Sequence, residues 1–147
     1  MEPIHILLVE DSEGDILLTK EVFEDAKIVV RLNVVKDGQQ ALDFLNKQGN
    51  YQNADLPDLL LLDVNLPKKN GIEVLKYIKG SSVLKHIPVI MLTTSSSEKD
   101  IFMSYQNYAN CYITKPVDID SFMDIVTKIE NFWISVAKLP TRKNYSK

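Results

Sequence analysis

A single cysteine, Cys111, stands among 147 residues. No internal disulfide is available, and the chain suits a reducing compartment. Positive charge is not in excess either: the formal net charge is −3 and the isoelectric point lies near 5.4. That balance argues against a nucleic-acid surface, where phosphates demand clustered cations. No apolar stretch reaches the ~20 residues a membrane-spanning helix needs. Ile4–Val9 is too short for a secretory signal, and it runs into Glu10-Asp11 rather than a small-residue cleavage site. There is no internal repeat and no low-complexity segment. The expectation is a soluble cytoplasmic domain over residues 1–138, followed by a polar tail over 139–147, with no membrane or nucleic-acid partner. A chain of this length buries a sizeable core without staples.

The pattern that remains alternates two periodicities. The apolar runs Ile4–Val9, Ile28–Val35, Leu59–Asp63, Pro88–Leu92 and Cys111–Thr114 have strand length. Between them lie helical segments. The first carries Leu18, Val22 and Ala26 flanked by Thr19 and Phe23 on one face; the second holds Ala41, Phe44 and Leu45; the third holds Val74, Leu75 and Ile78. A fourth opens at Ser95 with Glu98 at capping-box spacing and presents Ile101, Tyr105 and Tyr108. The last helix runs from Asp118 to about Lys138, with Ile119, Met123, Val126, Trp133 and Ala137 inward. Strands alternating with helices predict an α/β fold: a parallel sheet covered on both faces, a three-layer (βα)5 sandwich. Periodicity does not choose the strand order; a flavodoxin-like order 2-1-3-4-5 would set strands one, three and four side by side.

In that order the polar residues ending the strands converge: Glu10 and Asp11, Asp63, Thr93, and Lys115. The Leu59–Leu62 run makes its strand apolar on both faces, hence central, and it delivers Asp63 to its own mouth. Two like charges ~4 Å apart cost about 4 kcal/mol at an effective dielectric near 20, so three carboxylates need a compensating cation. Mg²⁺ suits such hard oxygen donors. A metal, an amine and a hydroxyl around one carboxylate fit phosphoryl transfer, which is mostly positioning and charge stabilisation.

Val9-Glu10-Asp11, Leu62 through Pro67 to Gly71, Leu92-Thr93 and Lys115-Pro116 also resemble the signature of two-component response-regulator receiver domains. The resemblance runs from Ile4 to about Ile134. It implies that Asp63 takes a phosphoryl group from a sensor histidine kinase. Asp11 would bind Mg²⁺ directly, Glu10 through water, and Asn65 through its backbone carbonyl. Lys115 would pair with the phosphoryl oxygens, Thr93 would donate its hydroxyl, and Tyr112 would change rotamer together with Thr93. The resemblance also implies a cis Lys115–Pro116 bond. Thr94 is bulkier than usual after the switch hydroxyl, and Asn65 and Ser95 occupy positions that tune autodephosphorylation in the family. The long Gln48–Pro57 loop and the Thr-Thr-Ser run resemble small regulators that partner bacterial phytochrome-type kinases. No output domain is expected after the last helix, and so no DNA-binding effector within this chain.

Taken singly, each residue has a plainer explanation. Glu10-Asp11 could be strand-end charges with Ser12 capping the next helix, Thr93 a β-branched strand residue, Tyr112 an edge aromatic. Glu13 and Asp15 read as acids favouring the positive end of a helix, outside the site. His5 and His86 read as surface residues, and Cys111 as a small core residue. On the last helix Ile125, Ile129, Phe132 and Val136 widen the apolar arc beyond one packed face, which marks an interface. With Tyr105, Tyr108 and Tyr112 it is expected to form a dimer or partner surface. Two rival functions remain. A Mg²⁺-dependent aspartyl-phosphate phosphatase would carry a second acid where Asn65 stands. A phosphate-independent interaction module would lack the acid pair or the lysine.

Overall fold

A computed structural model describes residues 3–26, 29–94, 103, 106 and 111–132, with the backbone alone over 128–132. Five strands, β1 (Ile4–Val9), β2 (Val30–Val35), β3 (Leu59–Asp63), β4 (Val89–Thr93) and β5 (Cys111–Thr114), form one sheet in the order β2-β1-β3-β4-β5. Every pairing is parallel. The helices are α1 (Glu13–Asp25), α2 (Gly38–Leu45), α3 (Gly71–Gly80) and α4 (Ile119–Phe132). Met103 and Gln106 are helical; the rest of the segment from Ser95 through Tyr108 lies outside the described residues.

The strand alternation sorts the core into two layers. Leu7, Val9, Leu60, Leu62 and Met91 face Phe44 of α2 and Leu75 and Ile78 of α3. Their neighbours Ile6, Leu8, Leu61, Ile90 and Leu92 face Ile16 and Phe23 of α1 and Phe122 and Val126 of α4. β3 and β4 are buried throughout, because helices cover both sides. The long loop is pinned by a 3-10 turn at Gly49–Tyr51, whose Tyr51 ring lies 5.3 Å from Phe44.

Three expectations are corrected. On α1 the buried stripe is Ile16, Thr19 and Phe23, while Leu18 is 48% exposed. Thr19 is buried at little cost because its hydroxyl donates to the Asp15 carbonyl at 2.8 Å. On α4 the fully buried residue is Phe122, and Met123 is exposed. The Phe122 ring meets Phe23 edge-on at 4.9 Å, which sets the phase of both helices. His5 is buried, not superficial: β1 lies between β2 and β3, and the ring bonds to Asn33 at 2.7 Å and to Arg31 at 3.0 Å. An arginine only donates, so Nδ1 of His5 accepts and Nε2 carries the proton toward Asn33. His86 is exposed and Cys111 half-buried.

Candidate functional site

Glu10 follows β1, Asp63 closes β3, Thr93 closes β4, and Lys115 follows β5; sheet order brings all four to one edge. Local chemistry starts each neighbouring helix cleanly. The Ser12 hydroxyl accepts from the Asp15 amide at the head of α1, and the Asn70 side chain accepts from Glu73 at the head of α3. Gly71 opens α3 directly against the strand end: a β-carbon there would lie 2.1 Å from the Asp63 carbonyl oxygen. Only glycine lets the helix approach so closely.

At the centre stands the Lys115 ammonium. Its Nζ lies 2.6 Å from Glu10 Oε1 and 3.0 Å from Asp63 Oδ2. Its own amide donates to the Thr93 carbonyl at 2.7 Å, and the Lys115–Pro116 bond is cis. The other Asp63 oxygen accepts from the Asn65 amide at 3.2 Å. Carboxylate oxygens of Glu10, Asp11 and Asp63 all fall within 4.8 Å of one another; Glu10 and Asp63 are buried and Asp11 is exposed. Hard oxygen donors in negative excess fit a small divalent cation, with Asp11 on the solvent side of the group.

The charges reshape one another. Burial drives the Glu10 carboxyl up to about 7; the hydrogen bond from Lys115 opposes this, and nearby Asp63 adds to it. Burial alone would depress Lys115, but its bonds to Glu10, Asp15 and Asp63 outweigh that and raise it. Such a lysine stays charged across the physiological range.

Thr93 is buried and pairs in register with Thr114. Tyr112, half-buried, packs against the α2–α3 side of the core. Asn65 and Thr94 are exposed. Ile125 leans on the α1–α4 side of the core. Tyr105, Tyr108 and Val136 lie outside the described residues, as do the side chains of Ile129 and Phe132. One participant escaped the sequence reading: Asp15, whose Oδ2 sits 3.0 Å from Lys115 Nζ. Its placement one turn beyond Asp11 was visible, but its partner stands a hundred residues away. Glu13, the other acid of that turn, pairs instead with Lys36.

The response regulator receiver domain family matches residues 6–127. The chain is 46% identical over 138 residues to the response regulator Rcp1 of Synechocystis sp., covering 94% of each. Among solved structures it is similar to the phosphorylated cyanobacterial phytochrome response regulator RcpA, with TM-score 0.76 and 46% identity over 95% of this chain and 100% of that one. It is also similar to the Mn(2+)-bound form of Rcp1, with TM-score 0.74 and 46% identity over the same shares.

Proposed function

Because the chain belongs to the response regulator receiver family and accepts a phosphoryl group in two-component signalling, we propose that Asp63 is the acceptor and Lys115 and Thr93 its catalytic partners. The observation that carries this reading is the Lys115 ammonium held 3.0 Å from a buried Asp63 carboxylate and 2.6 Å from Glu10. An Asp63 oxygen attacks the phosphorus of a phosphohistidine on the sensor kinase. The O–P bond forms as the P–N bond breaks, and the departing electron pair stays on the imidazole. Lys115 neutralises the phosphoryl oxygens and Thr93 donates its hydroxyl to one of them; Tyr112 changes rotamer with Thr93. Asp11, Asp63 and the Asn65 carbonyl would hold Mg²⁺, with Glu10 acting through water. That ion offsets the charge of the transferred group when bound.

The receiver is not a classical enzyme; the same residues assist only its own phosphorylation and dephosphorylation. The resemblance to Rcp1 and RcpA supports a phytochrome-type kinase as partner. A receiver unit over residues 1–138 with a tail over 139–147, a cytoplasmic location, and a homodimer through the last helix complete the reading. Among the described residues no helix is long and apolar enough to cross a membrane. Intact mass after acetyl phosphate with Mg²⁺ tests the chemistry. The wild type should gain one phosphoryl group and Asp63→Asn none; an equal gain in both would overturn the assignment.

A further inference from the structure

An ammonium has three N–H donors, and Lys115 has three carboxylate partners: Glu10 at 2.6 Å, Asp15 at 3.0 Å and Asp63 at 3.0 Å. No donor is left over. A phosphoryl group turns the Asp63 carboxylate into an uncharged acyl group and carries its charge outward, so Asp63 passes its share of Lys115 to the phosphoryl oxygens. For the ammonium to follow them, Glu10 or Asp15 must loosen its hold. The two partners that remain carboxylates, Glu10 and Asp15, differ sharply in exposure. The Glu10 and Asp63 side chains are 1% and 3% exposed, whereas Asp15 is 34% exposed. Abandoning a buried carboxylate leaves an uncompensated charge in a poor dielectric, while an exposed one is rehydrated.

The geometry points to Asp15 as a positioning residue for Lys115: it holds the ammonium in the unphosphorylated chain and is the partner released when the phosphoryl group arrives. This rests on the functional reading above. Asp15 belongs to α1 and Lys115 follows β5, so the contact ties the first turn of α1 to the far side of the sheet. Phosphorylation cuts that tie. The acid therefore competes with the phosphoryl group for the lysine, and its charge opposes the activated state.

The test uses beryllofluoride with Mg²⁺ as the phosphoryl mimic, titrated into the full chain and followed by amide NMR. Asp15→Asn should bind it about fivefold tighter than wild type, or ~1 kcal/mol. Asp15→Glu, which keeps the charge, should stay within about twofold. Glu13→Gln removes a charge from the same turn without touching Lys115, and should leave affinity unchanged. The Lys115 side-chain signal provides a second readout: in ligand-free Asp15→Asn it should already be displaced toward its position in the bound wild type. Equal or weaker binding by Asp15→Asn, or an equal gain from Glu13→Gln, overturns the inference. If wild type itself takes up neither beryllofluoride nor a phosphoryl group from acetyl phosphate, the functional reading falls instead.

Discussion

Single side chains far from the site hold local structure. Lys79 on α3 turns inward and donates to the carbonyls of Lys85 at 3.0 Å and Ile87 at 2.7 Å. It thereby ties the helix to the turn preceding β4, although burial lowers its pKa. Lys79→Met keeps the apolar stem but takes the donor from the part-buried Ile87 carbonyl, so the urea midpoint should fall by the equivalent of ~1 kcal/mol. Glu10 carries a pH signature. Its carboxyl is raised to about 7 in the fold, chiefly by burial, while the unfolded chain ionises near 4.5. The folded state thus binds the extra proton between those values, and the Glu10 contribution to stability is full below 4.5 and lost as pH rises through 7. A divalent ion recruits the ionised form. Mg²⁺ binding should therefore release protons below pH 7 and few above pH 8, measured by calorimetry in buffers of different ionisation enthalpy. Release independent of pH would contradict this assignment.

At the scale of elements, the phase of α1 and α4 is set between them rather than within either. A stripe through Leu18 and one through Ile16 differ by a rotation that apolar content alone barely distinguishes. The Phe23–Phe122 contact resolves the choice. Phe122 is fully buried, and Phe122→Ala should cost about 3–5 kcal/mol through the cavity it leaves. Chemical denaturation checks it; a loss under 1 kcal/mol would mean that α4 repacks on another face. Gly71 acts at the same scale, since it lets α3 approach the Asp63 carbonyl at the end of β3 closely.

For the whole molecule, the parallel sheet concentrates chemistry at one edge and leaves the opposite end to structural bonds such as His5 with Arg31 and Asn33. Lys115 lies within reach of three acids, so the phosphoryl charge proposed for Asp63 would act on all of them through it. The proposed output is a change of surface carried by the last helix. Its described inward residues are Ile119, Phe122, Ile125 and Val126; the interface is expected from Ile125 together with Ile129, Phe132 and Val136 farther along the sequence. A specific dimer needs about 1,000 Å² or more of buried surface. Light scattering at tens of micromolar, with and without acetyl phosphate, should give a dimer in at least one state. A monomer in both would remove the interface.

Sequence alone determined the strands, the burial of β3 on both faces, and the polar residues at the strand ends that meet in the site. Those features follow from local composition and period, readable within five or six residues: Leu59–Asp63 announces a central strand with an acid at its mouth wherever it sits. Tertiary structure alone decided the strand order, the helical phases, the burial of His5 and the recruitment of Asp15. Each depends on a partner distant along the chain, and a hydrogen bond or an aromatic contact forms only once the fold has brought both groups together.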